Sequence, residues 1–168
     1  VYLYDDSGAL ISTLRGSVAN DGIGRSVVVL HNGNYVVAST TWGGNNEGAA
    51  TFCPADIGCE GVVSAANSLL GSQSGDGVGA ENSIFPLSNG NYLVVSSVWD
   101  DGVIVNAGAV TWGSGVSGIS GPVSAANSLV GGTTSDLIGN GGVLALTNGN
   151  YVVNSVKWDD PSSGLANT

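Results

Sequence analysis

Two pairs of adjacent carboxylates come nearest, by residue type and spacing, to a catalytic site. They are Asp100 with Asp101 and Asp159 with Asp160. Hydrolysis of a glycosidic bond needs two carboxyl groups that face one gap across the substrate, whereas neighbours in an extended chain point to opposite sides. Each pair also follows a tryptophan, in what we expect to be a loop. We therefore interpret both pairs as solvated loop charge.

No other catalytic motif is present in the sequence. His31 is the single histidine, and Ser88 and Thr147 occupy the corresponding positions of the repeat described below. The chain has neither the Gly-x-Ser-x-Gly turn of a hydrolase nor a phosphate-binding Gly-Lys-Ser/Thr loop. We interpret His31 as a polar turn residue and predict that the protein is not an enzyme.

Calcium is the cofactor that the oxygen-rich loops could bind. Ca²⁺ takes oxygen ligands, and such ligands cluster at residues 5–8, 100–102 and 159–160. None of these loops has the full alternating ligand spacing of a calcium-binding loop. We therefore expect no cofactor, with calcium kept as the alternative.

The two cysteines, Cys53 and Cys59, are closely spaced. Structural zinc takes four ligands, and the chain has one histidine, so a disulfide is the better interpretation. Closing so short a loop contributes about 2 kcal/mol in the chain-entropy model. Disulfides persist in oxidising compartments, which predicts a secreted or cell-surface location.

The acidic composition excludes several classes of partner. Lys plus Arg number 3 and Asp plus Glu number 13, which gives a net charge of −10. Such a chain repels phosphate backbones and anionic lipid surfaces, and it lacks the run of about 18 apolar residues that a membrane-spanning helix needs. We predict no nucleic acid and no membrane insertion.

The sequence begins with Val1 and contains no methionine, so we expect a processed product or a piece of a longer polypeptide.

An internal repeat organises almost the whole chain. The hexapeptide Asn-Gly-Asn-Tyr-Val/Leu-Val occurs at residues 32–37, 89–94 and 148–153. Its period of about 58 residues is slightly longer than the usual unit of a β-propeller blade. The heptapeptide Val-Ser-Ala-Ala-Asn-Ser-Leu is identical at residues 63–69 and 123–129.

A third repeated element is an Asp-x-x-Gly turn. It begins at Asp21, Asp76 and Asp136, and an apolar residue precedes the glycine each time. A short acidic side chain in a turn can accept hydrogen bonds from nearby backbone amides. We therefore predict a structural role for these aspartates.

Each unit contains the pattern of four strands, at residues 26–30, 35–41, 49–53 and 62–70 of the first complete copy. The Asn-Gly pair between the first two is a strong hairpin signal. The pattern predicts an all-β fold of propeller type, built from four-stranded antiparallel blades. A β-solenoid or an open stack of sheets is the alternative architecture.

The phase of the repeat divides the chain, which we predict to be a single repeat domain over residues 1–168. It contains a half-blade at 1–20, blades at 21–75 and 76–135, and a half-blade at 136–168. Because the two half-blades are complementary, we expect self-association or flanking repeats of the same kind. Tyr2 and Tyr4 would then lie beside the strand that carries Tyr151 and Val153.

Four tryptophans are the candidate ligand-binding residues. Trp42, Trp99 and Trp158 recur once per repeat. Trp112 lies on the third strand of its repeat, at a position that we align with Tyr4 and Phe52. A residue placed once per blade is better explained by packing between blades, with a carbohydrate platform as the alternative. The candidates are Trp42, Trp99, Trp112 and Trp158.

These motifs resemble a repeat of uncharacterised function that occurs in tandem in very large secreted or outer-membrane bacterial proteins. More distantly, the unit resembles the FG-GAP repeat of integrin-type β-propellers. The calcium-binding loops of that family alternate Asp and Asn around glycine, whereas residues 31–34 here contain no carboxylate, so calcium is not carried over to this turn. The resemblance implies a propeller-type fold, an extracellular location and no catalytic residue. We expect a non-catalytic structural or adhesive module, with a glycan-binding lectin as the alternative.

Overall fold

The computed structural model describes residues 1–159, which fold mostly into short β-strands. An irregular turn at Trp42–Asn46 contains two glycines with positive φ, and no helix in the described range is long and apolar enough to cross a membrane. The strands are β1 (Tyr2–Tyr4), β2 (Leu10–Arg15), β3 (Ser26–Val29), β4 (Tyr35–Ser39), β5 (Ala49–Cys53), β6 (Gly61–Val62), β7 (Leu69–Leu70), β8 (Ile84–Pro86), β9 (Tyr92–Ser96), β10 (Ala109–Gly113), β11 (Gly121–Pro122), β12 (Ser128–Val130), β13 (Val143–Ala145) and β14 (Tyr151–Val153).

The strands form four open sheets, which we number in chain order. The first sheet has the order β1-β2-β6, the second β11-β7-β5-β4-β3, the third β12-β10-β9-β8, and the fourth β13-β14. Neighbours are antiparallel, except that β6 is parallel to β2 and β11 is parallel to β7. The predicted mostly-β fold is confirmed as a set of open sheets, and no closed ring is present among residues 1–159.

The first three predicted strands of each complete repeat are confirmed. They correspond to β3, β4 and β5 in the second sheet and to β8, β9 and β10 in the third. The Asn-Gly hairpin is also confirmed, because Gly33 adopts the positive φ of 89° that this turn requires.

The fourth predicted strand, residues 62–70, is wrong. β6 joins the first sheet, whereas β7 stays in the second. A turn separates them because the side chain of Asn67 satisfies two backbone groups that precede the turn. Its Oδ1 accepts a hydrogen bond from the Ser64 N–H at 2.9 Å, and its Nδ2 donates to the Val62 carbonyl at 3.0 Å.

The same turn recurs in the next repeat and explains the unchanged heptapeptide. Asn127 accepts from the Ser124 N–H at 2.9 Å and donates to the Pro122 carbonyl at 3.0 Å. β11 therefore pairs with the second sheet while β12 stays in the third. We call residues 61–70 and 121–130 the crossing segments, because each carries the chain from the preceding sheet into its own.

The hairpin of β1 and β2 has no crossing segment. Its turn is closed by Asp5, whose Oδ1 accepts hydrogen bonds from the Ser7 N–H at 2.9 Å and the Ala9 N–H at 2.8 Å. The predicted half-blade at residues 1–20 therefore contains two strands joined directly. The C-terminal half-blade contains β13 and β14, and its residues 160–168 lie outside the described range.

Between the four sheets of residues 1–159 lie three apolar cores. The core between the first and second sheets contains Leu14, Val37 and Val63. The core between the second and third sheets contains Val36, Leu69 and Tyr92, among others, and the third core contains Leu87, Leu93 and Ile138.

The predicted disulfide between Cys53 and Cys59 is confirmed, and it closes the loop that leaves β5.

We predict that Asn127→Ala lowers the free energy of unfolding by about 1–2 kcal/mol, because it leaves backbone groups of the crossing segment without partners. Urea denaturation followed by tryptophan fluorescence measures the change. Ala126→Ser is the matched control, since Ala126 is exposed in the same turn. Equal stability of the two variants would show that Asn127 does not hold the crossing segment.

Candidate functional site

The Asn-Gly-Asn turns of successive repeats contact the repeat that follows. Asn32 donates a hydrogen bond from Nδ2 to the Gly115 carbonyl at 2.6 Å, and Asn34 donates to the same carbonyl at 2.8 Å. Asn89 donates from Nδ2 to the Gly149 carbonyl at 3.3 Å. The asparagines therefore form a ladder that links one sheet to the next.

The glycine of each turn leaves room for the ladder. A Cβ atom on Gly149 would lie 2.5 Å from Nδ2 of Asn89, and one on Gly90 would lie 3.2 Å from Nδ2 of Asn32. Gly33 has no such neighbour within 4 Å. Sequence reasoning found the hairpin and missed the ladder. The signal for it was the first asparagine, which recurs in all three copies.

The repeated aspartates tie two loops together. In Asp76, Oδ2 accepts from the backbone N–H groups of Ser72 at 2.7 Å and Gln73 at 2.8 Å. Its Oδ1 accepts from the Asp100 N–H at 3.0 Å. The predicted capping role is therefore confirmed. The second contact, to the residue after Trp99, was not foreseen.

The other two aspartates make the same contacts. Oδ1 of Asp21 accepts from the Gly43 N–H, and Oδ1 of Asp136 accepts from the Asp159 N–H. Burial by itself raises the pKa of Asp21 and of Asp136, but hydrogen bonds outweigh it and hold both pKa values below the ordinary range: backbone N–H donors lead at Asp21, and the Thr133 hydroxyl followed by backbone N–H donors at Asp136. The buried carboxylates are thus kept ionised by hydrogen bonds.

The adjacent carboxylates belong to loops. Asp100 accepts a hydrogen bond at Oδ1 from the Asn106 N–H at 2.6 Å, and Asp101 forms an isolated backbone bridge with Ile104. Asp160 lies outside the described residues. Nowhere in residues 1–159 do three His, Cys, Asp or Glu side chains come together as a metal site. Calcium stays a sequence-based alternative.

The structure distributes the four candidate tryptophans over different sheets. Trp99 is 2% exposed in the core between the second and third sheets. Trp42 is partly buried against the core between the first and second sheets. Trp112, on β10, is 44% exposed, and Trp158 lines an open depression of about 500 Å³. The assignment of ligand binding to these residues stays a prediction.

The aligned aromatic position on the third strand is partly wrong. Phe52 stacks on Tyr92 with ring centroids 6.3 Å apart, and it also lies against Gly118. At the equivalent Gly58, the neighbour is Leu3 rather than Tyr4. Leu3 pairs with Ser12 on β2 ahead of the irregularity at Tyr4, so Leu3 takes the place of Phe52, and the Tyr4 side chain is exposed.

An apolar depression lies at the N-terminal end of the stack. It has a volume of about 260 Å³, and its lining combines the edge of β1 with the face of the second sheet that the short first sheet leaves uncovered. The lining residues are Val1, Tyr2, Leu3, Val27, Val29 and Tyr35. It contains no ionisable group other than tyrosine and the N-terminus, which suits apolar or main-chain contacts.

Comparison with known proteins identifies the repeat but no activity. The sequence profile of a family described as a repeat of unknown function (DUF5650) matches residues 29–80, 86–140 and 145–166. No curated protein and no solved structure matches the chain. The three matches together span more than half of the sequence and follow the phase of the repeat described above.

We predict that Asp136→Asn reduces the dependence of stability on pH. An aspartate whose pKa is lower in the folded state contributes stability above its unfolded value of about 3.9 and loses it as the pH falls through the folded value. The wild-type urea midpoint should therefore fall steeply below about pH 4. The fall should be shallower in Asp136→Asn. Asp56→Asn, at an exposed position, is the control. Parallel profiles for all three proteins would contradict this role.

We also predict that Trp99→Ala destabilises the fold by about 3–5 kcal/mol, the range for removing a buried aromatic side chain. Trp112→Ala is the matched control and should cost far less, because the Trp112 side chain is 44% exposed against 2% for Trp99. Chemical denaturation of both variants gives the comparison. Similar losses would mean that Trp99 does not support the core between the second and third sheets.

Proposed function

The chain belongs to this family of repeats of unknown function, and we propose that it is a non-catalytic structural and adhesive module of a secreted or cell-surface protein. One observation carries the proposal. The side chains that recur in every repeat, the turn asparagines and the loop aspartates, are hydrogen-bonded to the backbone of their own or the next repeat. A repeat conserves in this way the contacts that build an array.

The disulfide and the charge support an extracellular location. Cys53 and Cys59 are joined, and such bonds persist in oxidising compartments. With 13 acidic against 3 basic side chains, the surface repels anionic polymers and keeps an exposed array soluble.

We further propose that the units are of propeller type, and that further repeats complete the end sheets. The second and third sheets each contain four antiparallel strands in chain order, as propeller blades do. Within the part of the chain that the structure describes, the first sheet lacks the two strands that correspond to β3 and β4, and the fourth contains only those two. Completion of these sheets by repeats of the same kind would close a ring or extend a filament.

A glycan-binding lectin is the second candidate function. The observation that favours it is the exposed ring of Trp112 on β10, because exposed aromatic faces can stack on apolar faces of sugars. One such site per chain would bind weakly and would gain avidity only in an array.

The test combines a glycan array with bead adhesion. The oxidised chain is applied to the array with calcium and again with EDTA, and it is also coupled to beads. We expect no sugar to bind above the blank, and we expect coated beads to adhere to one another in both buffers. Beads that carry reduced and unfolded chain are the control. Saturable binding to one class of sugar, lost in Trp112→Ala, would overturn the proposal in favour of the lectin.

A further inference from the structure

We propose that a second copy of this chain docks head to tail, with β14 of one copy adding to the edge of β1 of the next. Tyr151 then pairs opposite Tyr4, Val153 pairs opposite Tyr2, and Asn148 stacks on Gly33 of the next copy. The inference rests on the proposed structural function, and it names the partner and the register of the contact.

The register follows from two junctions inside the chain. In the second sheet Tyr35 lies opposite Cys53 and Val37 opposite Thr51. In the third sheet Tyr92 lies opposite Gly113 and Val94 opposite Thr111. The same pairing is therefore used twice by strands of the same sequence pattern.

The end strands carry the corresponding positions. Tyr151 is the third tyrosine of the repeated hexapeptide and matches Tyr35. Leu3 takes the place of Phe52 beside its glycine, so Tyr4 takes the place of Cys53. Joining β14 to β1 in the internal register thus sets Tyr151 against Tyr4.

Among residues 1–159, no strand pairs with the outer edge of β1. Val1 and Leu14 exchange two hydrogen bonds, at 2.8 and 2.9 Å. In an antiparallel pair the next residue then directs its N–H and C=O away from the partner strand. Tyr2 is that residue, and it is 64% exposed. An edge of this kind is a template for another strand. Within residues 1–159, β14 pairs with β13 alone.

The second sheet offers an uncovered apolar face where the fourth sheet of another copy would lie. Val27 is 49% exposed, whereas Ile84, at the same position of the next repeat, is 6% exposed. Ile84 is buried because Val28 and Val36 of the preceding sheet pack in the same core. On the fourth sheet, Leu144 corresponds to Val28 and Val152 corresponds to Val36, and both are exposed. Docking places them over Val27 and into the depression of about 260 Å³ beside β1.

The asparagine ladder has one open position at each end. Gly90 and Gly149 each have the asparagine of the preceding repeat against them, whereas no described residue lies within 4 Å of the space beside Gly33. Asn148 accepts from the Asn150 N–H at 3.0 Å, as Asn89 accepts from Asn91 at 3.1 Å. Asn148 therefore has the rotamer that the ladder uses, and Gly33 has the space to receive it.

The proposed junction between two copies lacks the crossing segment that joins neighbouring sheets inside the chain. The β1–β2 hairpin has no crossing segment, so β12 of the preceding copy gains no parallel neighbour and no equivalent of Val63. We therefore expect association that is reversible and depends on concentration, rather than a permanent assembly.

Engineered cysteines test the register. The chain contains two cysteines, and both are in the disulfide, so an added cysteine is the one free thiol. Tyr4→Cys chain is mixed with Tyr151→Cys chain under mild oxidation, and we expect a disulfide-linked pair on a non-reducing gel. Tyr4→Cys mixed with Val152→Cys is the matched control, because a one-residue slip turns the side chain to the other face. Equal cross-linking in both mixtures, or none in either, would overturn the proposal.

A second measurement follows assembly without cysteines. We expect sedimentation velocity of the wild-type chain to show larger species as concentration rises. Tyr2→Pro removes the outward N–H of β1 and should stay monomeric, while Val103→Lys, at a fully exposed position, should assemble as wild type does. Circular dichroism confirms that both variants are folded. A monomeric wild type at millimolar concentration, or assembly unchanged by Tyr2→Pro, would refute the junction.

The two proposals fail separately. Adhesive beads without the specific cross-link would leave the structural function standing and remove this junction. The specific cross-link without adhesion would leave the junction standing and remove the proposed adhesive function.

Discussion

The constraint on which this fold depends is that its inner sheets are apolar on both faces. Val36 and Val37 are adjacent on β4 and both fully buried, one in the core towards the third sheet and the other in the core towards the first. A strand of this kind cannot be half solvated, so each sheet needs a neighbour on either side. The repeat supplies that neighbour, and the stacking of sheets follows from the composition of one hexapeptide.

Polar side chains fix the spacing of the stack. Each loop aspartate accepts hydrogen bonds from two loops at once, and Asn32 and Asn89 donate to the backbone of the following repeat. The aspartates are buried, and buried polar groups are costly unless they are fully paired. Pairing of these side chains therefore favours the one arrangement of the sheets that satisfies them. This requirement explains why both residue types recur along the chain.

Local signals made much of this fold predictable from sequence. The repeat, the hairpin, the first three strands and the disulfide depend on neighbours in the chain, and all four were predicted. The split of residues 62–70 was missed because β6 and β11 are two-residue strands that form through pairing with the preceding sheet. The place of Leu3 was missed because matching aromatic residues aligns Tyr4 with Phe52, whereas the pairing of Leu3 with Ser12 sets the alignment one residue earlier. The candidate site was the least predictable part, since the ladder involves residues more than 50 positions apart.

The crossing segments also determine how the array responds to load. A sheet that only packs on its neighbour can separate from it without breaking backbone hydrogen bonds. Here β6 and β11 are hydrogen-bonded into the sheet of the preceding repeat. Pulling two such repeats apart shears a pair of parallel strands, and it extracts Val63 or Val123 from a core in the same event. In a one-dimensional array, a coupling of this kind between neighbours favours unfolding that spreads along the chain over unfolding that stops at one unit. Tension applied at one interlocked repeat is therefore carried by the next.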